Sequence, residues 1–472
     1  MFILKSLVSL KHPKPILQQL RLVNNVSFCR GYKSGVSPSG GLRTETSTQL
    51  PPHSLLPTNM LLRSLLVATV SSHRFLLTPA LWFLSSIVHP RFSLLDVNKN
   101  PFLRGILKST FYNHFCAGEN GKEVRSTIEN IKNMGFKGVI LTYAREIVVD
   151  ASKEVSESST TAATTEASSL EAEQNPDIEA WRQGVLETVE MVGNGDILAL
   201  KLTGAGEPAM RALLAKEPLP EEMMLALEQI CKRAVERQAR IFIDAEQQSV
   251  QPGIDDVALG LMEKFNVDGK VAVFNTYQAY LKITPATLLA HLDIADKKKF
   301  TLGVKLVRGA YINSEPRGVI NETKADTDVS YDAIAQGVIK RDLGPFGKGK
   351  RPFPSADLFL ATHNKESALM ASKWSNELVA AGLPATKVQY GQLLGMADGV
   401  SCRLLQMGCV ETDGSGKVSP EVFKCLSWGT LGDCLSYLLR RAEENQDAVG
   451  RTREEYLQLR RELFHRIRNI FV

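Results

Sequence analysis

The stretch Tyr437–Asn445, YLLRRAEEN, sets two adjacent arginines one alanine ahead of a glutamate pair. A planar guanidinium fork matches a carboxylate in shape and charge. Successive residues on a helix are turned by about 100°, so Arg440 and Arg441 flank a single group from two sides. Glu444 follows Arg440 by four residues and Arg441 by three, the spacing at which a carboxylate pairs with a guanidinium and fixes it. Spacing alone favours a solvated charged face, because such helical pairs are common. The position of the stretch in the chain changes that reading.

Further cations stand where a packed chain has no structural use for them. Lys201 interrupts LALKLTG, and Lys305 and Arg308 interrupt VKLVRGAY, which ends on Tyr311. Burying an unpaired charge costs several kcal/mol, on the order of 3–5. Asp244, Gln278, Thr362, His363, Asn364 and Gln392 close other apolar runs in the same way. A salt bridge across the core accounts for one such charge; several cations with few acids point to an anionic ligand.

The elements that must position these residues show a regular rhythm from Gly138 onward. Eight short, β-rich apolar runs occupy 138–144, 197–204, 239–247, 271–280, 302–311, 357–364, 387–396 and 422–429, separated by helix-length stretches. Strands this apolar are buried on both faces, as in a parallel sheet wrapped by helices. Eight strand-then-helix repeats predict an α/β fold of the closed (βα)8, or TIM-barrel, type, in which chemistry sits at the C-terminal ends of the strands. A doubly wound open sheet is the alternative, but neither GxGxxG after the first strand nor GxxxxGK[ST] anywhere supports it. YLLRRAEEN then falls on the last helix of the barrel, for which Asp433 is the expected N-cap, with Leu435, Leu438, Leu439 and Ala442 turned inward.

The formal charge of +5 is unevenly distributed: residues 1–95 carry ten Lys or Arg and one acid, Glu45. The remainder is slightly acidic, so charge gives no case for a nucleic-acid partner. Residues 1–48 read as a mitochondrial transit peptide, basic and Ser-rich with almost no acid. Residues 49–136 read as an N-terminal helical region. Within it the apolar run 60–88 is broken by Arg63, His73, Arg74 and Pro79, predicting two packed helices, with superficial membrane contact as the alternative. The barrel is expected over 137–450, with a disordered Ser/Thr/Ala/Glu insertion at 150–176. A basic helix follows over 451–472, opening on a Thr452/Glu455 capping box and packing over the barrel, with an anionic membrane surface as the alternative. The seven cysteines form no CxxC pair, which argues against a disulfide framework or a structural zinc site. His12, His53, His73, His89, His114, His291 and His465 have no ligand-like grouping in the sequence.

In order along the chain, LALKLTG, IDAEQ, YQAYLK, VKLVRGAY, ATHN, QLLGM and YLLRRAEEN closely resemble the proline dehydrogenases of mitochondrial proline catabolism, in their fungal form. The resemblance runs from about residue 60 to 450 and includes TFYNHFCAGEN ahead of the barrel. It implies a distorted (βα)8 barrel, non-covalent FAD, oxidation of L-proline to Δ1-pyrroline-5-carboxylate and ubiquinone as acceptor; with a quinone acceptor, peripheral association with the mitochondrial inner membrane is the alternative to barrel packing for the basic C-terminal helix. Carried over by position, Arg440, Arg441 and Lys201 would hold the substrate carboxylate. Glu444 would orient the arginines, Tyr311 would line the ring pocket and Asp244 would set its hydrogen bonds. Lys305, Arg308, Gly309, Gln278, Thr362, His363, Asn364 and Gln392 match positions around the flavin.

One departure stands out. Where the family usually reads K-Y-x-P-[YW]-G, this chain has KCLSWG, so Cys425 replaces a tyrosine and Ser427 a proline. The loss of the tyrosine ring and hydroxyl points to a larger pocket, weaker affinity or a substituted proline as substrate; the alternative is a local shift of alignment with Trp428 filling the space. A Schiff-base lyase on the same barrel, using Lys201 or Lys305 as its amine, and a non-catalytic carboxylate binder are the competing readings.

Overall fold

The computed structural model describes residues 51–88, 92–143, 175–410, 418–447 and 449–470. The expected transit peptide and nearly all of the 150–176 insertion lie outside them.

All eight expected strands form. They are β1 (Gly138–Tyr143), β2 (Ile197–Leu200), β3 (Arg240–Ile243), β4 (Val273–Gln278), β5 (Leu302–Val307), β6 (Ala356–Ala361), β7 (Val388–Leu393) and β8 (Glu421–Trp428). Each pairs in parallel with its sequence neighbours, and β1 closes on β8 with Gly138 opposite Phe423 and Tyr143 opposite Trp428, giving a closed barrel. Several strands end sooner than their apolar runs. Lys201, Asp244, Arg308 and Thr362 therefore stand just past the last paired residue, on the rim where the backbone is released from the ladder.

The inward-facing residues Ile140, Ile197, Ala199, Phe242, Phe274, Phe359 and Phe423 form a buried layer across the barrel. Their rings meet edge to face, as in the Phe242–Phe359 contact at 4.8 Å between centroids, the arrangement aromatic quadrupoles favour. This layer gives the mouth of the barrel a dry floor.

Ahead of the barrel lie α1 (Thr58–Ser72) and α2 (Arg74–Val88), bent 103° from one another at His73, and then α3 (Pro101–Leu107), capped by Asn100 and continued by a π-helical turn at Lys108–Tyr112. α4 (Gly121–Asn133) leads into β1. The barrel helices are α5 (Pro176–Met191), α6 (Glu207–Ala215), α7 (Glu221–Glu236), α8 (Gln251–Phe265), α9 (Thr284–Lys298), α10 (Lys324–Lys340), α11 (Lys365–Ala380) and α12 (Asp398–Val410). α13 (Leu431–Asp447) and α14 (Val449–Arg468) complete the chain.

α13 is where the barrel departs from regularity. Its buried face, Leu431, Cys434, Leu435, Tyr437, Leu438 and Ala442, packs on Leu84 and Ile87 of α2 and on Leu107, Tyr112 and Phe115, so its principal partners are the N-terminal helices. The N-cap is Thr430, not Asp433: Thr430 Oγ1 accepts the Asp433 N–H and donates to its carboxylate at 2.6 Å. Both residue types cap helices, and the reciprocal pair moves the start three residues upstream. α14 runs from Val449, so Thr452 lies within it, three residues after its first.

Candidate active site

The rim residues converge on one place, the C-terminal mouth of the barrel. Lys305 Nζ donates to Asp244 Oδ1 at 2.5 Å and lies 5.1 Å from the Phe242 ring centroid, on the aromatic floor. Cys425 of β8 shares this neighbourhood. Burial pushes its thiol up to about 11; the Lys305 and Arg441 charges pull against that shift and Asp244 adds to it. Arg441 of α13, Asp244 and Lys305 all act electrostatically on this thiol.

Tyr437 is the site residue that sequence reasoning missed. It lies one helical turn before Arg441, whose guanidinium sits 5.0 Å from its ring centroid, a cation–π contact that orients the fork. The ring is buried, and burial raises the pKa of its hydroxyl. Ser427 is adjacent, yet the Tyr437 hydroxyl has no hydrogen bond of acceptable geometry among the described residues. Ser427 pulls against the effect of burial on this hydroxyl. Its spacing of four from Arg441 was the available signal, hidden because a tyrosine on an amphipathic helix reads as core.

Two of the mouth cations have acid partners from neighbouring elements, so for these the salt-bridge alternative holds. Lys305 pairs with Asp244, and Arg308 Nε donates to Asp328 Oδ1 of α10 at 2.7 Å. Arg308 also donates to Thr362 Oγ1 at 2.7 Å and Ser367 Oγ at 2.9 Å while lying 4.3 Å from the Tyr331 ring centroid. Every edge of this guanidinium is held, so it is a fixed positive group on the rim. Lys201 follows β2 and its carbonyl accepts the indole N–H of Trp181. Two residues on, Thr203 binds the buried Glu246 through both its N–H and its hydroxyl. Burial raises the Glu246 pKa, against the pull of Thr203 and Lys201. Arg440 is half-buried beside Arg441. The side chain of Glu444 lies outside the described residues, though its backbone belongs to α13.

The β6 and β7 ends form a second group. Asn364 caps α11 by accepting the Ser367 N–H. His363 Nε2 accepts the Leu393 N–H at 3.2 Å, which leaves the proton of the neutral ring on Nδ1. Gln392 is buried, donating to the Thr362 carbonyl and accepting from Ser401. Gln278 joins the Glu246 carbonyl to the Ala310 N–H. Gly309 has φ +147°, and a Cβ there would meet the Tyr280 ring at 2.2 Å. The loop after β5 thus runs closer to its neighbour than any side chain permits.

TFYNHFCAGEN braces the site from outside the barrel. The Tyr112 hydroxyl donates to the Gly429 carbonyl at 2.6 Å, Ala117 N–H to the Ser427 carbonyl, and Leu431 N–H to Glu119 Oε1 at 3.0 Å. Glu119 is held in turn by Arg104 and Lys108, so the N-terminus of α13 rests on a fixed carboxylate.

Compared with known proteins, residues 124–454 match the proline dehydrogenase family, which covers more than half of the chain. The chain belongs to the proline dehydrogenase family. Its relatives include the probable mitochondrial proline dehydrogenase of Schizosaccharomyces pombe, 29% identical over 409 residues, spanning 78% of this chain and 81% of that one. A hydroxyproline dehydrogenase of Bos taurus is also 29% identical, over 77% of this chain and 82% of its own. Mitochondrial proline dehydrogenase 1 of Arabidopsis thaliana is 26% identical over 90% and 86%. In fold, the chain is similar to proline utilization A of Bdellovibrio bacteriovorus in its N-propargylglycine-inactivated form, with TM-score 0.58 and 16% identity; it covers 80% of this chain but 38% of that much longer one. This family member therefore has the closed eight-stranded barrel, with Arg440 and Arg441 on the helix that follows its last strand.

Proposed function

We propose that the protein oxidises L-proline to Δ1-pyrroline-5-carboxylate with non-covalently bound FAD, in mitochondria, and passes the electrons to ubiquinone. The observation that carries the reading is the meeting of Arg441, Tyr437, Cys425, Lys305 and Asp244 at the mouth of a closed barrel in a chain of this family. The basic, almost acid-free sequence before residue 49 and the mitochondrial names of two relatives support the compartment. Ubiquinone resides in the bilayer, so the reading includes peripheral association with the inner membrane.

The residues present fit a flavin dinucleotide. Arg308 is a rim cation whose position is fixed on all sides, Gly309 keeps its loop free of side chain, and Gln278, Gln392, His363 and Asn364 hold neighbouring loops through backbone bonds. We assign these residues, with Lys305 and Thr362, to holding the cofactor. A flavin held there would supply the oxidant, with hydride-accepting chemistry toward ring carbon C5 of the substrate. The chain's own contribution is placement. Proline is small and stiff, so its carboxylate is the principal handle, and Arg440, Arg441 and Lys201 are assigned to it, with Glu444 orienting the pair. Tyr311 and Tyr437 wall the ring. The Asp244–Lys305 pair keeps a fixed cation and its counter-charge on the pocket floor, where no solvent needs to reorganise during the reaction.

An ammonium clasped by a carboxylate at 2.5 Å has no lone pair to offer a carbonyl, which disfavours Lys305 as a Schiff-base amine. A second substrate does have support. The Cys425 side chain is far smaller than a tyrosine, and a hydroxyproline dehydrogenase is among the relatives, so 4-hydroxyproline is the alternative substrate.

Anaerobic titration of the purified flavoprotein tests the reading. Bleaching of the flavin absorbance by L-proline is the expected outcome, and a comparison of kcat/KM for proline and trans-4-hydroxyproline ranks the two substrates. A colourless protein, or a flavin that neither imino acid bleaches, overturns it.

A further inference from the structure

One exposed surface is unused by the chemistry above. α2 carries no charged residue from Phe75 to Val88, and its two faces differ in what they meet. Leu77, Leu84 and Ile87 are buried, the latter two under α13. On the other side Phe75, Pro79 and Trp82 recur at positions i, i+4 and i+7, with Leu76 and Phe83 beside them. Phe75 is 74% and Trp82 73% exposed. Among the described residues nothing covers Phe75 and Trp82, and a contiguous exposed apolar patch of this kind marks an interaction or membrane surface. No single described helix is long and apolar enough to cross a membrane.

The stripe continues onto a basic one. The His73 ring, at the bend between α1 and α2, contacts both the Phe75 ring and the Tyr456 ring of α14, at 5.7 and 5.8 Å between centroids. From Tyr456 the same face of α14 runs through Arg460, Phe464 and Arg468, all exposed, with Arg461 and Ile467 at its edge. The Arg460 guanidinium lies 5.9 Å from the Phe464 ring centroid. The acid within this segment, Glu462, is buried and paired with Arg466. Across residues 51–88 the sequence holds two arginines and no carboxylate. Exposed charge along the combined surface is therefore almost entirely positive, interleaved with tryptophan and phenylalanine, the composition that settles at the headgroup level of an anionic bilayer.

We infer that the exposed stripe of α2, continued through His73 and Tyr456 onto Arg460, Phe464 and Arg468 of α14, is the surface on which this protein rests on anionic phospholipid. Trp82, Phe75 and Phe83 enter the interface, and the α14 arginines lie over the headgroups. The inference rests on the peripheral association already proposed and adds the surface that makes it. α13 packs directly on the buried side of α2, so the helix bearing the arginine clamp is one helix removed from the lipid.

The test is sedimentation of the full-length flavoprotein with vesicles of phosphatidylcholine, with or without about 20 mol % cardiolipin. The variants are Phe75→Ser/Trp82→Ser and Arg460→Gln/Arg461→Gln/Arg468→Gln, each also assayed for proline oxidation with a soluble dye acceptor. The expected result is partition of the wild type onto cardiolipin vesicles only. Partition should fall roughly tenfold or more in both variants, with dye-linked turnover unchanged. High salt should release the wild type. Binding that survives both sets of substitutions overturns the inference, as does a wild type that ignores the vesicles. A dimer that the aromatic substitutions dissolve would assign the face to a second copy of the chain and also overturn it. Loss of proline oxidation in the wild type would overturn the reaction instead, leaving the partition data to judge the surface separately.

Discussion

At the residue scale, the geometry separates groups that bind from groups that position. Arg441 lies over the Tyr437 ring, and on the proposed reading Arg441→Met should raise the proline KM roughly tenfold to a hundredfold, as expected when a charge-assisted contact worth about 1.5–3 kcal/mol is removed. Flavin content, read from the absorbance ratio, should stay near wild type; its loss would show that the arginine serves the cofactor. Gly309→Ala should do the opposite. A Cβ meeting the Tyr280 ring at 2.2 Å forces the loop outward at a cost of about 1–3 kcal/mol, so flavin content should fall and added FAD should partly restore activity. Much of this was legible in the sequence, because a lysine or arginine closing an apolar run announces itself. Asp244, the partner of Lys305, was legible for the same reason; the partner of Arg308 was not. Asp328 lies on α10, and nothing in its own sequence neighbourhood shows that it reaches Arg308. Tyr437 was missed for the converse reason, since a buried tyrosine on a helix resembles ordinary core until its hydroxyl is seen to lack a partner.

At the scale of elements, α13 is decisive. Its N-terminus is fixed by the Thr430/Asp433 pair and by Glu119 from the segment ahead of the barrel. Thr430→Ala should lower stability by about 1 kcal/mol, a small shift in Tm. Glu119→Gln removes the charge that also binds Arg104 and Lys108; it should raise the proline KM while the flavin remains bound, measured by the same titration. An unchanged KM would mean that α13 is held by packing on α2 alone. The strands were readable because parallel strands buried on both faces need continuous apolar runs. The placement of α13 was not, because its inward leucines suit packing on barrel or on helices equally well, and only the burial of Tyr112, Phe115 and Ile87 against it decides.

At the scale of the molecule, barrel and flanking helices are joined by a buried polar network. Lys424 of β8 and Asp398 of α12 are each 2% exposed and lie 2.6 Å apart. Ser64 of α1 donates to Asp398, and Asp398 N–H donates to Glu455 of α14. Lys424→Met leaves a lone buried carboxylate and should cost about 3–5 kcal/mol, whereas Lys424→Met/Asp398→Leu should recover most of that loss in a denaturant titration. Two buried histidines add a pH dependence. Burial lowers the pKa of His114 and of His291 to about 4 in the folded chain, while the unfolded chain takes up its protons near pH 6.5. Stability should therefore be full above about pH 6.5 and decline down to about pH 4, by at most roughly 3 kcal/mol per histidine; His291→Gln should flatten that part of the Tm profile. The closure of β1 on β8 has a further consequence, in the order of folding. Gly138 pairs with Phe423, so the first strand waits for the eighth, and the sheet keeps an open edge for as long as the chain is being synthesised. Strand pairing between residues so distant in sequence is slow, because loop closure must precede any gain from contact. The arginine pair of α13 follows the last strand, so the helix that bears it docks only when the barrel is complete.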